Sequence, residues 1–339
     1  MLDARPSVVG SPRLITAIAL VAAGLVLLVA GGELLVRGAV GLAEKAGVSA
    51  LVIGLVIVGF GTSMPELVTS VEAAMAGSPA IAWGNIVGSN IANSLLILGA
   101  AALVAPLAIT SENRWRDPGV ALGASLVLLL LAISGAGGGL IGAALFVALF
   151  GYIAWCYREE RIAEPAVVHN APYDRAQALE LADTGLHPAE GGWGKPVLFT
   201  LLGLAVLVGG GRLLVSGAID LARLAGLTET LIGLTIVAIG TSLPELVTSV
   251  IAARKGETAV AFGNVVGSNI YNILLIGGAT MLLAPGPIPE NLLPFDIGLV
   301  LAGAVAILAL SLLRGVGRLP AVAMLVTYIA YLAFLVITA

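Results

Sequence analysis

Two glutamates, Glu66 and Glu245, stand inside apolar stretches of this chain, each within the same run of residues. Gly61-Thr62-Ser63-Met64-Pro65-Glu66 and Gly240-Thr241-Ser242-Leu243-Pro244-Glu245 differ only at the residue before the proline. Thr62 and Glu66 are four apart, as are Thr241 and Glu245, so on a helix each pair shares a face. Pro65 and Pro244 lack an N–H and clash with the preceding turn, which frees carbonyls near Gly61 and Gly240. Ser63 and Ser242 add hydroxyl oxygens. Such hydroxyls commonly bond back to the carbonyl four residues earlier; four of them placed in matched positions argue for another use.

A second motif follows each glutamate. Asn85, Ser89 and Asn93 recur every four residues and form one polar stripe, repeated by Asn264, Ser268 and Asn272. Asn90 and Asn269 fall off the stripe, in positions suited to helix packing. Gly84, Gly88, Gly263 and Gly267 let another backbone come close. The donors are all oxygens: carboxylates, amides, hydroxyls and carbonyls. His169 and His187 lie in a polar segment, and the one cysteine, Cys156, reads as an apolar filler. Hard oxygens suit Na⁺, Ca²⁺ or Mg²⁺ rather than zinc, copper or iron. Mg²⁺ dehydrates reluctantly and needs a strict octahedron, so a flexible cage favours Ca²⁺ and Na⁺. Two carboxylates are neutralised equally by one Ca²⁺ or by a few Na⁺, which is the physical basis for exchange.

The elements that must hold these residues are membrane helices. Of 339 residues, 59% are hydrophobic and 11% charged, against about 25% charged in soluble domains. The net charge of −4 argues against a nucleic-acid partner. The apolar run 14–32 exceeds a signal peptide's usual core and reads as a first membrane helix. Ten spans are expected, near 14–38, 49–75, 79–105, 118–135, 138–157, 196–218, 228–253, 258–284, 295–313 and 320–338. Glu66 and Glu245 then fall near mid-membrane, where a charge costs roughly 2.5–3.5 kcal/mol. A protonated acid bonded within the bundle is the plain alternative to a cation ligand.

The expected organisation is a five-helix half over 1–157, a polar linker over 158–195 with a short surface helix around 173–182, and a second half over 196–339. Loops after the odd-numbered spans carry twelve Lys and Arg residues, against four on the other side. This bias places the linker in the cytoplasm and both termini outside. Residues 31–99 and 210–278 align without a gap at a constant offset of 179. Because each half has an odd number of spans, the second copy enters from the opposite side. Inverted repeats of this kind put their broken helices together at the bilayer midplane.

These paired motifs resemble the α-repeats of the cation/calcium exchanger superfamily, in its prokaryotic sodium/calcium exchanger branch. The repeats fall at about 50–105 and 229–284, overlapping the gapless alignment of 31–99 with 210–278 that covers about 140 of 339 residues. The resemblance implies an all-α fold of ten transmembrane helices in two inverted five-helix repeats. It implies Ca²⁺ held by Glu66 and Glu245, and Na⁺ coordinated by hydroxyls of Thr62, Ser63, Thr241, Ser242, Ser89 and Ser268. Gly59 and Ala238 match positions offering backbone carbonyls, and Asn93 and Asn272 match polar residues at the centre. Asn272 departs from the Asp of many relatives, which weakens the case for potassium co-transport and for proton coupling at that position.

The expected activity is Ca²⁺/Na⁺ antiport across the cytoplasmic membrane by alternating access, with spans one and six sliding. The only partners expected are the two ions and the lipid bilayer, with no cofactor and no protein partner. A Ca²⁺/H⁺ antiporter is the nearest rival, a cation channel a more distant one. The spans lack the His, zinc-ligand pair or Ser–His set that a hydrolase needs. Glu33 and Arg212 differ in charge at matched positions near helix ends and receive no ion role.

Overall fold

The computed structural model describes residues 12–47, 50–109, 114–162, 192–225 and 238–338. The expected surface helix near 173–182, both histidines and most of the expected linker lie outside them. The fold is all-α, with ten membrane helices. Helix α1 spans Pro12–Ala46; α2 is broken over 50–75; α3 covers Pro79–Val104; α4 Arg116–Ser134; α5 Gly139–Ile162. Helix α6 spans Gly194–Leu224; α7 is described from Ala238 to Arg254; α8 covers Thr258–Leu283; α9 Phe295–Leu312; α10 Arg318–Thr338. Helix α5 continues about one turn past the expected start of the linker, because Trp155 and Arg116 both hold Glu159 on its last turns, at 2.8 and 2.9 Å. Helix α1, with 35 residues, is about 52 Å long at 1.5 Å per residue, so it crosses a hydrocarbon layer of about 30 Å with length to spare or at a tilt.

Helices α3 and α8 form the centre. They are buried over 89% (α8) and 78% (α3) of their apolar length, against 17% for α10. Both carry a π-helical turn, over Ala92–Ile97 and Asn272–Gly277, and α2 carries another over Gly54–Val58. Hydropathy reading has no signal for these wider turns, which recur at functional sites in membrane and soluble helices alike.

Helices α1 and α6 run antiparallel along a glycine seam. Gly24, Gly31 and Gly38 recur every seven residues, as do their matches Gly203, Gly210 and Gly217. A Cβ on Gly24 would sit 2.6 Å from the Leu214 backbone nitrogen, and one on Gly217 2.7 Å from the Ala17 carbonyl. Apolar side chains gain nothing by leaving lipid for each other, so dispersion at this close approach is what holds the pair.

The two halves meet again at opposite faces. On one, Leu107–Ala108 (β1) pairs antiparallel with Gly315–Val316 (β2). On the other, Gly137 and Gly286, the repeat matches of Val316 and Leu107, lie so close that a Cβ on Gly137 would overlap the Gly286 carbonyl. A contact and its repeat partner on opposite faces is the geometry of an inverted duplication.

Matched polar pairs extend the repeat into the outer helices. Tyr152 donates to Asp117 at 3.0 Å and Tyr331 to Asp296 at 2.9 Å, in both cases from the fifth helix of a half to the fourth. In the first half Arg116 also binds Asp117, at 2.7 Å.

Candidate ion-binding site

Both glutamates stand just past a helix break. Proline supplies no N–H, so the helix restarts: Ser63 and Ser242 leave helical geometry, at ψ 3° and 7°, and new helices begin at Met64 and Leu243. The two parts of α2 meet at a bend of 48°. The broken ends of the two halves face each other. Ser63 donates to Glu245 Oε1 at 3.2 Å, and Ser242 donates to Glu66 Oε1 at 3.1 Å. Each carboxylate is therefore bonded to the serine three residues before the other. Glu66 is 2% exposed and Glu245 1%; they face the protein interior, not lipid.

The remaining oxygens decide what the site can hold. Glu66 Oε2, Glu245 Oε2, Asn93 Oδ1, Asn272 Oδ1 and Ser268 Oγ are buried without a hydrogen-bond partner among the described residues. Neither glutamate has an ion-pair partner among the described residues. Buried acceptors left unpaired cost about 1–3 kcal/mol each, more when charged. Carboxylates and amide carbonyls accept but do not donate, so another donor would be needed to satisfy them together; a cation does so directly. The donor set fits Ca²⁺ and Na⁺ as transported substrates.

Other expected ligands take more than one role. Ser89 Oγ lies 3.4 Å from Ser242 Oγ. The Thr62 hydroxyl is placed to donate back to Val58 O at 3.0 Å, the use that its matched position argued against, and across the halves to Asn264 Oδ1 at 3.1 Å. Its lone pairs remain available after its one proton is committed. The Gly59 carbonyl accepts the Ser63 N–H at 3.1 Å and keeps a second lone pair. Ala238 opens the short helix Ala238–Thr241, and Thr241 closes it, next to the break. Asn93 and Asn272 sit at the start of the π turns of α3 and α8.

Asn85 and Asn264, taken from sequence only as stripe members, are braces. Asn85 donates to Glu66 O at 3.3 Å and Ser70 Oγ at 2.9 Å, and Asn264 to Glu245 O and Ser249 Oγ at the same two distances. They tie α3 to α2 and α8 to α7 beside each glutamate. The two serines in the repeated Leu-Val-Thr-Ser segment carried this signal. Asn269 bridges the halves to Ser94 at 3.0 Å, whereas Asn90 donates to Ile86 O of its own helix at 2.7 Å. Gly267 admits the Leu55 carbonyl, 2.7 Å from where a Cβ would be. Among the described residues nothing comes within 4 Å of the Cβ position at Gly84 or Gly88; residue 234, the repeat match of Leu55, is not described.

A cage of buried oxygens shared by two inverted halves defines a secondary membrane transporter, not an enzyme. The chain belongs to the family described as sodium/calcium exchanger protein, whose model matches residues 16–158 and again 195–337. These two matches are themselves 179 apart, so the duplication covers all five helices of each half. The chain is 38% identical to CaxA of Alkalimonas amylolytica, over 91% of this chain and 95% of that one. It is 34% identical to the sodium/calcium exchanger MaX1 of Methanosarcina acetivorans, over 92% and 96%. Its fold matches the solved sodium-calcium exchanger NCX_Mj with a TM-score of 0.80 and 25% identity, over 94% and 98%.

Proposed function

We propose that this chain moves Ca²⁺ out of its site in exchange for Na⁺ by alternating access. The observation that carries the reading is the crossed pair Ser63–Glu245 and Ser242–Glu66, with the second oxygen of each carboxylate unpaired. Ca²⁺ takes the unpaired oxygens of Glu66 and Glu245, with the Asn93 and Asn272 carbonyls beside them. Na⁺ is coordinated by Thr62, Ser63, Ser89, Thr241, Ser242 and Ser268, and by carbonyls at Gly59 and Ala238. The names of MaX1 and NCX_Mj support this choice of ions.

The carboxylates carry a charge near −2, which Ca²⁺ neutralises; three Na⁺ in its place leave the loaded site positive, so exchange is electrogenic. The five-helix halves 1–157 and 196–339 form the two repeats, and 158–195 links them in the cytoplasm. The protein sits in the cytoplasmic membrane with both termini outside, as the excess of Lys and Arg on the linker side supports.

The test is ⁴⁵Ca²⁺ uptake into proteoliposomes with Na⁺, K⁺ and H⁺ gradients varied singly. Uptake driven by an outward Na⁺ gradient and accelerated by voltage is expected. Uptake driven by pH in sodium-free medium would instead assign the two acids to proton carriage, and flux without any counter-ion would make the protein a channel.

A further inference from the structure

The α1–α6 pair sits asymmetrically on the two halves. In α1, a Cβ on Gly32 would lie 2.7 Å from Ile251 and 3.1 Å from Val247, so α1 is pressed onto α7. The repeat matches of these three residues are Gly211, Glu72 and Val68. The nearest neighbours of a Cβ on Gly211 are Leu28 and Pro244, both at 3.8 Å, with no atom of Glu72 or Val68 among them. Val68 is 37% exposed and Glu72 is exposed, whereas Val247 and Ile251 are half-buried. Helix α6 is therefore not seated on α2 as α1 is seated on α7.

An ion pair marks the seated side. Glu33, next to Gly32, pairs with Lys255 at the end of α7 and with Arg37 one turn along α1, at 2.8 Å for the latter. The residue matching Glu33 is Arg212, next to Gly211. Lys255 matches Ala76, which carries no charge, but Glu72 lies one turn before Ala76 on the same face. The charges are thus reversed: acid on α1 and base on α7, against base on α6 and acid on α2. Among the described residues the Arg212 and Glu72 side chains have no hydrogen bond and no ion pair.

Two inverted copies of one fold imply a second conformation in which the halves exchange roles and the opening moves to the other face. In that conformation α6 seats on α2, Gly211 covers Val68 and Glu72, and Arg212 projects toward the end of α2. An arginine spans one helical turn of about 5.4 Å, which closes the gap from Ala76 to Glu72. We propose that Arg212 and Glu72 are positioning residues of the transport cycle: they form the ion pair that holds α6 on α2 in the opposite-facing conformation, and Glu33–Lys255 is its counterpart in this one. The proposal rests on the alternating-access reading above but not on which ions are carried.

The test uses the full chain in proteoliposomes with Cys156→Ser. Arg212→Cys with Glu72→Cys, and Glu33→Cys with Lys255→Cys, are oxidised under opposite cation gradients, and linked peptides are read by mass spectrometry. Each pair is expected to link under the gradient that disfavours the other. Separately, Arg212→Glu is expected to lower the maximal exchange rate by about two- to fivefold, the scale of an exposed ion pair, with the KM for Ca²⁺ unchanged. Arg212→Glu combined with Glu72→Arg restores the rate. A 72–212 pair that links under no gradient while 33–255 links, or a reversed pair that fails to restore the rate, would overturn the proposal. Absence of sodium coupling in the parent chain would sink the ion assignment alone, since linking yield does not depend on which ion moves.

Discussion

A buried carboxylate needs a positive charge beside it, and Glu66 and Glu245 find none among the side chains of the described residues. Replacing Glu66 or Glu245 by Gln removes a charge that has no ion-pair partner among the described residues, while keeping the side-chain oxygen that Ser242 or Ser63 bonds. Glu66→Gln and Glu245→Gln are expected to abolish Ca²⁺ flux. In ion-free detergent they should melt at or above the temperature of the parent, because losing an unpaired buried charge relieves strain. Added Ca²⁺ should raise the melting temperature of the parent and leave both variants unmoved. Variants that still transport, or that respond to Ca²⁺ as the parent does, would remove the glutamates from the site. Asn264→Ala differs in kind. It leaves Ser249 and the Glu245 carbonyl without their donor at 2.9 and 3.3 Å. A loss of about 1–3 kcal/mol is expected, read as a lower melting temperature whether or not Ca²⁺ is present.

Among the elements, the glycine seam of α1 and α6 makes the sharpest claim. Gly210 faces Leu27 and Leu28 across the seam, with the Leu27 Cβ 2.8 Å from where its own Cβ would be. Gly210→Leu must push the helices apart, at a cost of about 1–3 kcal/mol or more from overpacking. Gly209→Leu, one residue away, where a Cβ would meet nothing within 4 Å, should cost little. Comparing the two by thermal unfolding in detergent separates loss of close approach from a general intolerance of bulk. Equal melting temperatures would mean that α1 and α6 are held by something other than this contact. The heptad spacing of these glycines was legible in the sequence at the matched offset. That α6 faces α1, rather than α2 or α7, was not, because a small residue is compatible with any close neighbour.

At the scale of the whole molecule, the duplication repeats a hydrogen bond far from the site but not its surroundings. Tyr152 and Tyr331 make the same bond to Asp117 and Asp296. The environments differ: Asp117 is 1% exposed and also binds Arg116, whereas Tyr331 stacks on Phe295 with ring centroids 6.2 Å apart. Tyr152→Phe leaves Asp117 still paired by Arg116, and Tyr331→Phe removes the hydroxyl that donates to Asp296. Tyr331→Phe is therefore expected to be the more destabilising, by about 1 kcal/mol, in thermal unfolding. The reverse order would show that Arg116 does not compensate for the lost hydroxyl.

The ten helices, the break at Pro65 and Pro244, the inverted halves and the all-oxygen donor set are properties of the chain as written. Apolar length, proline chemistry and a constant repeat offset act locally or by symmetry, and need no coordinates. The partner of each group is a different matter. Ser63 serves the glutamate of the other half, Asn85 and Asn264 brace α2 and α7 beside each glutamate, Thr62 reaches both its own helix and Asn264 of the other half, and α1 presses on Val247 and Ile251 of α7 while Val68 and Glu72 of α2 stay exposed. Each of these is a choice among several nearby acceptors or surfaces of similar chemistry, and only packing in three dimensions selects one.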